Sequence, residues 1–194
     1  PWELGVDLLP LIDTSYFLPA SVLLRYRLSD RLKLRARPGI TFEERRNRPN
    51  SLPETNLLSG GEFGAYLSGG LEWYVTTGRV SVFFGAEIFG SFFRRIERVD
   101  TDTRPLANPP TIIRIRDYYS DQKYGLNGLA GMNVRIVPHF YIATEAYLQI
   151  AYRRQHTIYE EYRQEVEYAT GGRLLKRYIA ALEPISAIHF IYQF

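Results

Sequence analysis

Apolar and polar positions alternate strictly along this chain over long windows. From Phe63 to Val75 the odd positions read Phe63, Ala65, Leu67, Gly69, Leu71, Trp73 and Val75, while the even ones beside them include Glu62, Gly64, Tyr66, Ser68 and Glu72. From Leu32 to Phe42 the even positions are apolar or Pro, and the odd ones are Lys33, Arg35, Arg37, Gly39 and Thr41. A period of two sustained this long predicts extended strands. The pattern recurs in about eight windows, near 2–10, 19–28, 31–44, 61–75, 79–94, 123–137, 139–153 and 178–194. No helix-period segment competes with them, although 155–170, with Tyr159, Tyr162 and Val166, fits either a helix or a protruding hairpin.

The connections alternate in length. Ser29-Asp30, Thr76-Thr77-Gly78 and Val137-Pro138 have the chemistry of tight hairpin turns. Between them fall longer segments near 11–18, 45–60, 95–122 and 154–177. In 95–122 the arms Ile96–Val99 and Ile112–Arg116 also alternate, around Pro105, Pro109 and Pro110, which predicts strands continued outward to a Pro-rich tip. The segment 154–177 reads the same way around Gly171-Gly172. Short turns at one end and long loops at the other describe a membrane barrel whose termini share the short-turn side.

The faces distinguish a barrel in lipid from one in water. One face of each strand is nearly free of charge: Val80, Val82, Phe84, Ala86, Ile88 and Phe92 in one, Phe140, Ile142, Thr144, Ala146, Leu148 and Ile150 in another. The opposite faces gather Arg25, Arg27, Lys33, Arg35, Arg37, Glu62, Glu72, Glu87, Asn127, Asn133, Arg135, Glu145, Gln149 and Glu183. A soluble eight-stranded carrier needs the reverse. The expected fold is therefore all-β: one domain over 1–194, a transmembrane antiparallel up-and-down barrel of about eight strands with a polar packed interior. Trp2, Tyr26, Trp73, Tyr124 and Phe140 fall at strand ends, where aromatic girdles belong.

Composition adds exclusions. No run of 18 apolar residues exists, which removes an α-helical span. The mean hydropathy of -0.22 is compatible with a barrel, because alternating faces cancel. With no Cys, disulfides, thiolate metal sites and thiol catalysis are out. A net charge of +3 is too small to argue for nucleic acid. Lysine occurs only at Lys33, Lys123 and Lys176; the other basic residues are Arg, suited to forked contacts with carboxylates and phosphates. The chain opens at Pro1-Trp2 without a basic, apolar leader, so the expectation is an exported protein with its signal peptide already removed.

The last strand carries a family resemblance. Ile188, Phe190, Tyr192 and Phe194 alternate to an aromatic end, separated by His189, Ile191 and Gln193. This resembles the C-terminal β-signal of bacterial outer-membrane proteins, with Phe190, Tyr192 and Phe194 as its aromatic part. With the loop rhythm, the chain resembles the small barrels of the OmpA transmembrane-domain and OmpX type, without a periplasmic domain after the barrel. The resemblance implies a bacterial outer-membrane location, periplasmic termini and recognition by the barrel assembly machinery; it transfers no active site.

Candidate chemistry falls into four groups. Arg35, Arg37, Glu72, Glu87, Arg135 and Glu145 are expected to pair inside a lumen only wide enough for side chains, as a rigid plug rather than a narrow channel. Arg45, Arg46 and Arg48, Arg94, Arg95 and Arg98, and Arg153 and Arg154 fall where strands leave the outer leaflet, suited to lipopolysaccharide phosphates or to simple solvation. His139 and His189 fall at the short-turn end, and His156 is followed by Glu160 and Glu161 but adjoins Thr157, with no His-x-Ser arrangement. Neither a hydrolase nor a metal or cofactor site is expected. The long loops offer hairpin edges to a partner. The expected function is a non-enzymatic barrel acting through its outer loops, as a binding or structural component or as an accessory subunit of an envelope protein complex. A lipid-A-modifying enzyme and a narrow small-solute channel are the alternatives.

Overall fold

In a computed structural model the chain forms a closed ring of eight antiparallel strands in sequence order. The structure describes residues 2–8, 20–47, 57–75, 78–102, 112–163 and 166–194. The strands are β1 (Trp2–Asp7), β2 (Ala20–Arg27), β3 (Leu32–Asn47), β4 (Leu57–Tyr74), β5 (Val80–Asp102), β6 (Ile112–Val137), β7 (Phe140–Arg163) and β8 (Val166–Gln193). Each pairs with its sequence neighbour, and β1 closes the ring on β8 from Glu3↔Gln193 to Asp7↔His189. Among the described residues there is no helix, so 155–170 resolves as strand, and no helix long and apolar enough to cross a membrane.

Both ends of the described chain and the tight turns lie together at one end, here called the turn end. The Phe194 amide donates to the Trp2 carbonyl at 3.0 Å. At 28–31 the Ser29 hydroxyl accepts from the Leu32 amide at 3.1 Å, a side chain closing its own turn. Between β6 and β7, Pro138 is followed by His139 at φ 71°, the order a type II turn requires. Thr76 and Thr77 lie outside the described residues.

The strands lengthen around the ring, from 6 residues in β1 to 28 in β8. β5 and β6 pair out to Asp102↔Ile112, so the arms at Ile96–Val99 and Ile112–Arg116 are strand. The tip with Pro105, Pro109 and Pro110 lies outside the described residues, as do 9–19 and 48–56. β7 and β8 pair out to Arg163↔Val166, which corrects the expected tip at Gly171-Gly172. Those glycines lie within β8, opposite Tyr159 and Ile158; the alternation on either side outweighs their local turn preference.

Side chains obey the pleat. Inward positions hold Glu3, Arg25, Lys33, Arg35, Arg37, Glu72, Glu87 and Glu145, all buried; outward positions hold Val82, Phe84, Leu126, Leu148 and Ile150, all exposed. Two glycines leave space that the interior needs. A Cβ on Gly70 would collide with the β5 backbone at Ala86 and Glu87, and one on Gly131 would strike the ring of Phe83, which is fully buried across from it. The interior also has two small apolar clusters, Tyr74 with Phe83, Leu129 and Tyr147, and Leu23 with Ala143 and Ile191.

Candidate functional site

The lumen is filled by one connected polar network. Arg25 donates from Nε to Glu72 Oε1 at 2.8 Å, from Nη2 to Glu145 Oε1 at 3.0 Å and from Nη1 to Asn133 Oδ1 at 3.3 Å. Arg35 reaches Glu72 at 2.9 Å and Glu145 Oε2 at 2.9 Å, and its Nε lies 3.1 Å from Glu87. The remaining carboxylate lone pairs are taken by neutral donors. Tyr74 donates to Glu72 at 3.0 Å and Tyr147 to Glu145 at 2.6 Å. Ser68 and Asn127 both donate to Glu87, at 3.0 and 2.9 Å. Lys33 closes the turn end against Glu3 at 2.6 Å.

Charge balances within this column. Arg25, Lys33, Arg35 and Arg37 stand against Glu3, Glu72, Glu87 and Glu145. Arg25, Arg35, Glu72, Glu87 and Glu145 are each no more than 2% exposed. Desolvating such charges is costly, and the forked, multiply hydrogen-bonded geometry is what offsets it. His189, also fully buried, places Nε2 3.6 Å from Glu145.

The structure brings together Arg35, Arg37, Glu72, Glu87 and Glu145 from the expected network, and it adds Arg25. Arg135 is a correction: it is exposed at the turn end. Its odd number gives it an inward phase, but at that height β6 has passed the last interior layer. Arg25 sits on the face the alternation marked as polar, yet its partners come from β4 and β7, distant in sequence.

Above the plug the barrel opens into a cup of about 440 Å³. Arg37, Tyr66, Phe89, Asn127, Tyr147 and Gln149 line its depth. Glu62, Arg95, Asp121, Lys123, Arg153 and Glu183 line its walls. Arg153 forks onto Asp121, with Nε 3.0 Å from both carboxylate oxygens. Arg95 pairs with Glu62 at 3.6 Å and with Glu97. Arg95 and Arg153 therefore face the cup, which corrects their expected contact with lipopolysaccharide: neighbours in a strand cannot share a face. Arg94 and Arg154 are the exposed, outward members of their pairs. Arg98 is half-buried on β5. Arg48 lies outside the described residues, as do the side chains of Arg45 and Arg46.

Two aromatic belts bracket the apolar wall. At the turn end Phe140 lies 5.5 Å from Phe190 and 5.0 Å from Tyr192, ring centre to ring centre, and Tyr192 lies 4.8 Å from Phe194. Trp2 meets Tyr26 at 4.8 Å. At the other end Tyr124, Tyr152 and Tyr178 align across β6, β7 and β8, at 5.2 and 5.4 Å. Twelve residues separate Phe140 from Tyr152 along β7. At about 3.3 Å per residue and a strand tilt of about 40°, the belts lie roughly 30 Å apart.

A register pair that the sequence could not reveal puts Ser120 opposite His156 on the outward face. Glu160 lies four residues further along β7, about 13 Å away at strand rise, so these residues form no triad. His139 lies in its turn, with Nδ1 3.0 Å from the Gln193 carbonyl. Among the described residues no group of His, Asp and Glu is placed to hold a metal.

Fold and site together define a closed antiparallel β-barrel with an apolar wall, a salt-bridged plug and an open cup. No family model and no curated protein matches the chain. Among solved structures it is similar to CarO of Acinetobacter baumannii, at 10% identity, over 100% of this chain and 96% of that one, with a TM-score of 0.38. An overlap that low carries no argument here, and the architecture rests on the strand register itself.

Proposed function

We propose that this protein spans a bacterial outer membrane as a non-enzymatic barrel of the small OmpA/OmpX-like kind. Its turn end faces the periplasm, and its cup and extended strands serve on the outer side as a binding component or as an accessory subunit of an envelope complex. One observation carries the reading. Between the two aromatic belts the described outward positions bear no charge, while buried ion pairs fill the space inside. Only a surrounding lipid phase makes that inversion favourable. The spacing of about 30 Å between belts suits the hydrocarbon core. Arg94 and Arg154, outward and just beyond the tyrosine belt, are suited to the phosphates of lipopolysaccharide. The outward Phe190, Tyr192 and Phe194 fit an assembly signal read from the lipid side. A plug this complete argues against a standing pore and for work done outside. Reconstituted into planar bilayers, the protein is expected to insert and show no steady single-channel conductance. Regular conductance steps would overturn the closed-lumen reading, and recovery of the native protein in the soluble cell fraction would overturn the membrane placement.

A further inference from the structure

The cup holds two charged side chains that the plug does not use. Lys123, on β6, and Glu183, on β8, both line it, and neither makes a hydrogen bond or an ion pair within 4 Å with a described residue. The other wall charges are engaged: Arg153 with Asp121, Arg95 with Glu62 and Glu97. Deeper down, Gln149 is 6% exposed; its Nε2 donates to Asn127, and its Oε1 has no partner. Arg37 is 4% exposed, and its Nε likewise has none. Buried polar atoms are almost always satisfied, so an unused acceptor and an unused donor at the same cavity point to a group that enters it. Across from them the lining is aromatic, with Phe89, Phe93 and Tyr119.

We propose that the cup binds a small zwitterion with an apolar body. Its carboxylate meets Lys123, its ammonium meets Glu183 with the Gln149 carbonyl beneath, and its apolar part lies on Phe89 and Phe93. An unpaired charge of each sign selects for a ligand that carries both, because a purely anionic or cationic solute leaves one of them opposed. A cavity of about 440 Å³ is the size of sites for small organic ligands. This deepens the reading of the outer side as a binding surface and rests on it.

The test is calorimetric titration of the folded barrel in detergent with four probes: L-phenylalanine, phenylacetate, phenethylamine and N-acetyl-L-phenylalanine amide. L-Phenylalanine is expected to give saturable binding, the two singly charged probes weaker binding, and the capped amide none. K123M is expected to weaken L-phenylalanine about tenfold, equivalent to about 1.4 kcal/mol, and to make phenethylamine the better ligand. E183Q is expected to shift preference to phenylacetate. No saturable binding of L-phenylalanine, or equal binding of the capped amide, overturns the proposal. The probe series on the unaltered protein decides the matter even where a variant fails to fold. Lack of binding leaves the closed lumen untouched, whereas bilayer conductance would reject the closed lumen and leave the cup standing.

Discussion

Glu145 is the residue on which the plug turns. It receives both Arg25 and Arg35, accepts the Tyr147 hydroxyl and adjoins His189. Truncating it leaves two buried guanidinium groups short of their counter-charge. Glu145→Ala is therefore expected to lower stability by about 3–5 kcal/mol, the usual result of breaking one side of a buried pair. Arg135→Ala, at an exposed site, should stay within about 0.5 kcal/mol. Urea unfolding in lipid vesicles, followed by tryptophan fluorescence, reads both; equal shifts would reject the plug as a source of stability. At this scale the alternation told which face each charge was on, and it did so correctly for Arg35, Arg37, Glu72, Glu87 and Glu145. It did not tell which partner each charge meets, since that depends on strand register and height. Arg25 was thus missed and Arg135 wrongly included. The same logic separates Arg94 from Arg95 and Arg153 from Arg154, clusters in sequence that the pleat divides.

Strand identity was legible because a period of two survives even the irregularities of the ladder. Glu145 pairs with Ala187 but Tyr147 with Glu183, so β8 carries two extra residues beside Pro184. Pro lacks the N–H that a ladder needs, which suits it to a bulge. An insertion of two keeps the phase, so Tyr178, Leu182, Phe190 and Tyr192 all face outward across the bulge. Strand length was less legible. The outer halves of β5 to β8 leave the lipid wall, and there polar residues occupy both faces: Arg94 and Arg154 outward, Asp121 and Arg153 inward. Within the wall the outward face should tolerate no charge. Leu148 points outward at 54% exposure, between the two belts. Leu148→Arg is expected to cost about 2–4 kcal/mol in a bilayer, as for Arg near the midplane of other barrels. The same urea titration measures it; an unchanged midpoint would mean that this wall does not meet lipid.

For the molecule as a whole, the plug separates two environments, and its removal should join them. The double variant Arg35→Ala/Glu145→Ala deletes one charge of each sign from the middle of the column, keeping net balance while emptying the layer between Tyr74 and Tyr66. It is expected to show small ion currents in planar bilayers where the unaltered protein shows none. A silent double variant would mean that the remaining layers seal the lumen by themselves. None of this was readable from composition, which is that of an ordinary soluble chain; it depends on the ring being closed.

Closure itself is uneven. β8 is hydrogen-bonded to β7 along nearly its whole length, but to β1 only from His189 to Gln193, with one further bond from the Leu8 amide to the Ile188 carbonyl. Under a mechanical load such a ring has a built-in zip. Tension drawn across the wall would part the β1–β8 seam well before any other, leaving β5 to β8 as one intact ribbon. Whatever strains this wall, whether crowding or lateral pressure, would find its weakest line at Glu3–Asp7.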